Sequence, residues 1–309
     1  MSIERIKSVF EGLSGDIDWS LQLLKITNSK KTGTQYSSRQ ISLEPTHKLS
    51  EFVNDMVKKY TGAGKSSLSS FQKVTDYDGT ADGLVIYKLD KDNALISQEY
   101  QALITAIANP DVEADAIAFT SAYVIKGVSV IGEEEISVKL ISMQNPITSL
   151  KHKFLHCAGS FTEITDPILS LRSSVDVIVI DSTVYFLSLA GENLFNMSRA
   201  YKAVCHEAVA QVEQVGFVSG VESFRAIAES GHNPRRFVSF SSDRVEALKN
   251  TNKRKAMAKK FDIPLDAENK FDASAEGAAE KIVKLLCNKG MVDPFNDAPV
   301  EVSGATQWQ

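Results

Sequence analysis

The chain has 309 residues, of which 43% are hydrophobic and 24% are charged, and its formal net charge is −5. These values are typical of a soluble globular protein that is long enough for two domains. They exclude a membrane-spanning chain, because apolar runs such as residues 175–189 are interrupted before the roughly 20 residues that a span needs. The N-terminal segment carries closely spaced charges and lacks a secretory apolar region, so we expect a cytoplasmic protein.

The first half of the chain mixes strand and helix signals. Polar residues from Asn28 to Gly33 separate two β-rich runs, which predicts a hairpin followed by a helix. Asn109 and Pro110 end a second helix, because proline cannot continue one. The predicted elements are strands at 19–27, 35–43 and 84–89, helices at 47–60 and 94–108, and a second hairpin made of 116–126 and 136–141.

The second half opens with strands and then becomes helical. A boundary near residue 145 gives two predicted domains, 1–145 and 146–309. Strands followed by helices indicate an α+β fold, with a mixed N-terminal domain and a C-terminal domain in which an antiparallel hairpin precedes a helical bundle. Asp243 and Glu246 resemble a capping box at the start of the third helix. The predicted elements are strands at 153–161, 175–180 and 184–189, and helices at 194–215, 217–228, 243 onward, 253–260 and 274–286.

The stretch TGAGKSS at residues 61–67 resembles the phosphate-binding loop of nucleotide hydrolases. That loop requires an earlier glycine at position 59, which is Lys59 here, and it must open a helix. Apolar residues from Leu49 to Tyr60 recur at helical spacing, so the predicted helix runs into the glycines. We interpret Gly62 and Gly64 as a helix stop.

A second resemblance to nucleotide hydrolases lies at DVIVID, residues 176–181, where Asp181 ends an apolar strand. Residues 184–187 form another β-rich run directly afterwards, and parallel strands cannot be joined by so short a turn. The sequence therefore predicts an antiparallel hairpin in which Asp181 is a turn residue.

No catalytic or metal-binding motif stands out. Cys157, Cys205 and Cys287 are widely separated, and we interpret Cys205 as a core residue on an apolar helix stripe. His152 and His156 could share a metal only on a helix, and their surroundings favour a strand. We therefore expect no catalytic residue, no metal ion and no cofactor.

Charge is distributed unevenly along the chain. Between residues 90 and 135 nine acidic residues stand against two basic ones, and between 235 and 260 nine basic residues stand against two acidic ones. Such asymmetry suggests a surface for a polyanion within an acidic protein. The predicted nucleic-acid-binding residues are Arg235, Arg236, Arg244, Lys249, Lys253, Arg254, Lys255, Lys259 and Lys260.

The segment KNTNKRKAMAKK, residues 249–260, is the centre of this basic region. Lysine and arginine displace counterions from phosphates and so provide sequence-independent affinity for nucleic acid. Projected as a helix, the charges lie on several sides, with Met257 and Phe261 as the only expected core contacts. This distribution favours a basic surface against the phosphate backbone over a helix inserted in a groove, and a solvated helix end remains the simpler alternative.

Beyond single motifs, the second half of the chain resembles a known family. The hairpin VDVIVIDSTVYFLSL, the helix ENLFNMSRAYKAVCHEAV and the C-terminal EKIVKLLCNKGMVDPFNDAPVEVSG are together similar to the KwaB-like family, the DNA-binding subunit of the Kiwa anti-phage defence system. The resemblance covers residues 115–309. It implies a non-catalytic cytoplasmic protein that binds double-stranded DNA, self-associates as a dimer or higher oligomer, and is recruited to the inner membrane by a small transmembrane subunit. Binding would hinder phage DNA replication or late transcription.

Two other functions remain open at this point. A metal-dependent nuclease could assemble its site from carboxylates scattered in sequence, of which Asp166, Asp176, Asp181 and Glu192 are the candidates. An interaction scaffold could instead use the acidic window of residues 90–135 to dock a basic surface of a membrane protein without binding DNA.

Overall fold

The computed structural model describes residues 3–13, 17–29, 33–42, 47–61, 71–72, 74, 86–111, 120–131, 133–144, 153–157, 159–164, 171–292 and 299–301. Internal contacts divide the chain into two compact units. The first unit comprises Met1–Phe71 and Asp82–Asn196, and the second comprises Gln72–Ala81 and Met197–Gln309. The α+β class predicted from the sequence is confirmed, since strands dominate the first unit and helices the second.

In its described residues the first unit combines three α-helices with an antiparallel sheet. Its helices are α1 (Ile3–Gly12), α2 (His47–Thr61) and α3 (Ser97–Ala108), and a 3-10 helix follows at Leu189–Phe195. Its strands are β1 (Ser20–Ser29), β2 (Gly33–Ile41), β3 (Phe71–Gln72), β4 (Ile86–Asp90), β5 (Ala122–Ile131), β6 (Glu134–Met143), β7 (Lys153–Cys157), β8 (Ser160–Ile164), β9 (Val177–Ile180) and β10 (Thr183–Phe186).

Eight of these strands form one sheet in the order β2-β1-β5-β6-β9-β10-β4-β3. The three predicted hairpins are confirmed, because β1 pairs with β2, β5 with β6, and β9 with β10, each antiparallel. Asp181 turns the last hairpin with φ of 51°, a left-handed conformation that aspartate tolerates better than most residues. Leu140 of β6 lies opposite Ile178 of β9, so strand pairing continues across the boundary proposed at residue 145.

Helices cover both faces of the sheet. All four residues of β9 are buried, as expected for a strand whose two faces are shielded from water. Amphipathic helices α1 and α2 contribute buried side chains such as Phe10 and Met56 to the core on one face. On the other face α3 is anchored through its carbonyls, because Gln22 donates to Ile107 and Ser38 donates to Ala106.

The prediction of one strand at 153–161 is wrong. β7 and β8 instead form a separate antiparallel pair, in which Lys153 lies opposite Ile164 and Cys157 opposite Ser160. Gly159 lies in the tight connection with φ of 86°, a conformation that glycine adopts without the steric clash of a Cβ atom. β-rich residues lie on both sides of Gly159 in the sequence, and this local pattern predicts one continuous strand.

The second unit is mainly helical. It contains helices α4 (Met197–Val215), α5 (Val221–Ala228), α6 (Asn233–Arg236), α7 (Ser242–Lys249), α8 (Thr251–Phe261) and α9 (Ala278–Leu286), and a short 3-10 helix at Phe237–Ser239. Two small strand pairs accompany the helices, a parallel pair of β11 (Val218–Ser219) with β12 (Phe271–Asp272) and an antiparallel pair of β13 (Gly290–Val292) with β14 (Pro299–Glu301).

The core of the second unit follows the apolar stripe predicted for α4, with Tyr201, Cys205 and Val209 buried. Two helix starts differ from the prediction. The segment from 217 first forms β11, because Val218 pairs with Phe271, and α5 begins only at Val221. The Asp243 and Glu246 capping box is wrong, since Ser241 occupies the cap of α7 without a side-chain hydrogen bond.

Candidate nucleic-acid interface

The basic segment forms α8, a helix whose ends are well defined. Asn250 caps its start, because the side-chain oxygen accepts hydrogen bonds from the backbone N–H groups of Asn252 at 2.9 Å and Lys253 at 3.1 Å. Asp262 ends it in the left-handed conformation, with its N–H donating to the carbonyl of Ala258. Thr251–Phe261 contains no acidic residue, so the cations of α8 have no carboxylate partner within their own helix.

Arg254 belongs to the interior of the second unit. Only 7% of its surface is exposed. Its Nε atom donates to the carbonyl of Asn269 at 2.5 Å, and its Nη1 atom donates to the carbonyl of Leu248 at 2.8 Å. A further hydrogen bond reaches Thr251 Oγ1. The guanidinium therefore joins α8 to the end of α7 and to the loop before β12, and it is not available to a phosphate.

The burial of α8 differs from the helical projection of its sequence. Met257 and Phe261 are half-buried and contact the core, as expected. The prediction that they are the only core contacts is wrong, because Arg254 and Ala258 are buried more completely. A charged residue on the core side is not visible in an apolar pattern, and only its carbonyl partners explain its burial.

The four lysines of α8 are exposed, and none of them forms an ion pair within the part of the chain that the structure describes. Lys253 and Lys260 lie two turns apart on one side of the helix, and Lys255 and Lys259 lie one turn apart on another. The two sides are separated by roughly 130° around the helix axis. We call Lys253, Lys255, Lys259 and Lys260 together the α8 lysine surface.

Arg244 and Lys249 of α7 have different surroundings. Arg244 is half-buried, its Nη1 atom donates to the carbonyl of Leu286 at 3.3 Å, and burial lowers the pKa of its guanidinium. Lys249 is exposed and lies 2.6 Å from Glu246. Since an exposed ion pair contributes little to stability, Lys249 can exchange its partner for a phosphate more easily than Arg244 can leave its site.

The two arginines of α6 are held by the second unit. The guanidinium of Arg235 lies over the ring of Tyr201 with 5.2 Å to the ring centroid, a favourable cation–π distance. Arg236 donates through Nη1 to Asn233 Oδ1 at 2.9 Å. The positive charges of Arg236, Arg244 and Lys289 act on the thiol of Cys287, so these three side chains lie in one region.

Some of the predicted nucleic-acid-binding residues line an open groove. It has a volume of about 520 Å³ and lies between α7, α8 and the segment that follows α9. Arg244, Lys253 and Lys260 line it, and it also contains Leu285 and Asn288. We call it the α7–α8 groove. Leu285 and Asn288 are remote from α8 in the sequence, so no local pattern predicted that they line this groove.

Two of the carboxylates suggested for a nuclease, Asp176 and Asp181, lie at opposite ends of β9. Asp176 is 6% exposed and accepts hydrogen bonds from the N–H of Met143 at 2.8 Å and from Ser188 Oγ at 2.5 Å. Asp181 lies beyond the opposite end of β9, about 16 Å away at 3.3 Å per residue. Glu192 accepts a hydrogen bond from the hydroxyl of Tyr87. Asp166 lies outside the described residues.

The cysteines of the second unit are ordinary core residues. Cys205 and Cys287 are both fully buried, which confirms the expectation for Cys205. Burial raises the pKa of each thiol to about 12. Within the described ranges no group of three or more histidine, cysteine or acidic side chains could hold a metal ion. His152 lies outside those ranges.

Comparison with known proteins identifies the family. The family described as Kiwa protein KwaB-like matches residues 131–292, which is more than half of the chain. The chain belongs to this family, as its resemblance in the second half indicated. Membership implies a part in the Kiwa anti-phage defence system. Neither the curated proteins nor the solved structures contain a match. Among the helices of the described segments, none is both long and apolar enough to cross a membrane.

Proposed function

We propose that this KwaB-like protein contributes to anti-phage defence by binding double-stranded DNA without sequence preference and without catalysis. The α8 lysine surface makes the main phosphate contacts, and Lys249 adds to it. The observation that carries the proposal is the set of four exposed lysines on one short helix that has no acidic residue. Such a set of lysines binds phosphates favourably, because each lysine that neutralises a phosphate releases a counterion from the DNA.

The dimensions of α8 fit a phosphate backbone. Its 11 residues span about 16 Å, and one DNA strand presents a phosphate every 3.4 Å or so along the duplex axis. A helix that lies along the DNA strand is therefore long enough to extend beside about five phosphates. Lys253 and Lys260 are about 10 Å apart along the helix, and Lys255 and Lys259 about 6 Å apart, which is close to three and two phosphate spacings.

The same argument removes one predicted residue from the contact set. Arg254 donates its hydrogen bonds to carbonyl oxygens, so a phosphate would have to displace several satisfied contacts to reach it. We therefore assign Arg254 to the support of α8, where it fixes the helix that presents the lysines. Arg235 has a comparable role, since its charge lies over Tyr201.

The absence of catalysis is part of the proposal and has two supports. β9 separates Asp176 from Asp181 by roughly 16 Å, so these two carboxylates are too far apart to bind one metal ion or to bridge two ions that lie about 4 Å from each other. The thiols of Cys205 and Cys287 carry pKa values near 12 and are therefore poor nucleophiles at neutral pH.

We further propose that the chain is cytoplasmic, self-associates, and is recruited to the inner membrane by a small transmembrane subunit, where bound phage DNA is withheld from replication or late transcription. Cytoplasmic loops of membrane proteins are rich in lysine and arginine. The exposed residues Asp90, Asp92, Glu133 and Glu135 of the acidic window are suited to such a loop.

A titration of DNA binding against salt tests the proposal. Fluorescence anisotropy with a labelled duplex should give a linear fall of log affinity with log salt, with a slope of about −0.9 per phosphate contact. Changing Lys253, Lys255, Lys259 and Lys260 to glutamine should reduce the magnitude of that slope by up to about 3.6. Unchanged affinity and slope in this variant would refute the assigned surface.

The matched control removes four lysines that are already ion-paired. Lys48 lies 2.5 Å from Glu51, Lys58 lies 3.5 Å from Asp55, and Lys281 and Lys284 also have carboxylate partners. Changing these four to glutamine removes the same charge and should leave the slope nearly unchanged. Incubation of the wild-type protein with plasmid DNA and Mg²⁺ or Mn²⁺ completes the test, because nicked or linear product would overturn the non-catalytic assignment.

A further inference from the structure

The α7–α8 groove has an apolar floor and a cationic rim. Leu248, Met257, Phe261 and Leu285 supply apolar surface, and Arg244, Lys253 and Lys260 supply positive charge. Among the described residues that line it there is no aspartate or glutamate. The combination selects a ligand that is anionic at one end and apolar at the other, because an uncharged ligand would leave the three cations unused.

Two contacts of its lining residues help to hold the groove in shape. Arg244 donates to the carbonyl of Leu286, and within the described residues its other N–H groups have no acceptor, so they can meet an anion. Gly290 lies close to Phe261, since a Cβ atom added at Gly290 would come within 2.9 Å of the ring. The Phe261 ring therefore has one side covered by backbone, and it borders the groove.

The size and charge of the groove narrow the ligand class. Its volume of about 520 Å³ falls within the range of roughly 300–1,000 Å³ that is usual for small-molecule sites. A carboxylate carries one negative charge, which is fewer than the three positive charges of the groove. A phosphate group carries up to about two negative charges and three acceptor oxygens, so it matches the groove better. An aromatic ring and a thioether suit a planar base, and the amide of Asn288 can donate and accept hydrogen bonds at a base edge.

We propose that the α7–α8 groove binds a free nucleoside phosphate. The base lies against Phe261 and Met257, and the phosphate is bound by Lys253, Lys260 and Arg244. A free nucleotide is favoured over a nucleotide of duplex DNA, because a paired base would first have to leave the stack. Lys255 and Lys259 lie on another side of α8 and do not contribute to this site.

The site has a consequence for DNA binding that rests on the function proposed above. Lys253 and Lys260 serve both ligands, so a bound nucleotide removes two of the four lysines from the DNA-binding surface. Nucleotide and DNA therefore compete, and the nucleotide concentration sets how much protein is free to bind DNA. Nucleotide binding itself does not depend on DNA binding and is measured without DNA.

Isothermal titration calorimetry with the full chain tests the site, using AMP, GMP, UMP, adenosine and inorganic pyrophosphate. At least one of the three nucleotides should bind at least tenfold more tightly than adenosine and pyrophosphate, because only nucleotides contact both the cations and the floor. The K253E/K260E variant should lose at least about tenfold in affinity, roughly the effect of one charge-assisted hydrogen bond. Ala247→Phe, which fills the groove without changing its charge, should weaken nucleotide binding by a similar factor.

The matched control is K255E/K259E, which changes the same charge on the same helix outside the groove. It should bind the nucleotide within twofold of wild type, and circular dichroism should show the same helix content in all variants. Equal loss in both double variants would overturn the site, as would adenosine or pyrophosphate binding as tightly as the nucleotides. Tight binding only to a DNA end bearing a 5′-phosphate, with no binding of the mononucleotides, would also overturn it. Failure of DNA binding in the anisotropy assay, with nucleotide binding intact, would refute the proposed function alone.

Discussion

Helices α8 and α9 lie in the same unit, and their lysines have different surroundings. In α9, Lys281 lies 2.8 Å from the carboxylate of Asp262 and Lys284 lies 3.1 Å from Glu280. In the described part of the chain, the lysines of α8 have no such partners. The lysines of α9 are thus paired within the protein, and those of α8 are the ones that we propose bind an external anion.

The largest effect is expected for a change of Arg254, because this is the cation of α8 that supports the fold. The predicted change is in the free energy of unfolding. Arg254→Met should reduce the free energy of unfolding by about 2–4 kcal/mol, since the carbonyls of Leu248 and Asn269 lose a donor in a buried place. Urea denaturation measures the loss. Lys255→Met on the exposed side should change it by no more than about 0.5 kcal/mol. Equal stability of the two variants would contradict the structural role of Arg254.

A second prediction tests whether α8 loses its affinity for DNA when its lysines are given carboxylate partners like those of α9. Asn252→Glu with Ala256→Glu adds carboxylates three or four residues from Lys255, Lys259 and Lys260 at exposed positions. Duplex DNA affinity should fall about tenfold and the salt slope should weaken by about 2, although every lysine is still present. The helix should remain equally stable or gain a few tenths of a kcal/mol. The anisotropy titration measures the first two quantities, and Asn252→Gln with Ala256→Gln is the uncharged control.

The smallest expected effect concerns the paired lysine of α9. The hydrogen bond and charge of Lys281 lower the pKa of Asp262 below its ordinary value of 3.8. A lowered pKa means that the stabilisation from this pair is present above pH 3.8 or so and is lost as the pH falls below it. In Lys281→Gln the pKa of Asp262 should return toward 3.8, which an NMR titration of the carboxyl carbon detects. An unchanged pKa in this variant would mean that the ion pair does not form in solution.

Much of the fold could be predicted from periodicity and turn chemistry. The α2 and α4 stripes and the three main hairpins follow patterns that act over a few residues, and such patterns are readable without tertiary contacts. One of the wrong predictions depended on a contact that is distant in sequence. Val218 became a strand because Phe271 lies beside it, and nothing in the local sequence records that pairing.

For the candidate site, the sequence determined which residues are positively charged, and the tertiary structure determined which of them are exposed. Counting residues was sufficient to find the basic region between 235 and 260, because charge asymmetry is a property of composition. Only the folded chain separates Arg254 from its neighbour Lys253, since burial depends on which carbonyls and apolar side chains arrive from elsewhere. The α7–α8 groove likewise exists only when Leu285 and Asn288 are brought beside α8, because a concave surface is formed by segments that are remote in the chain.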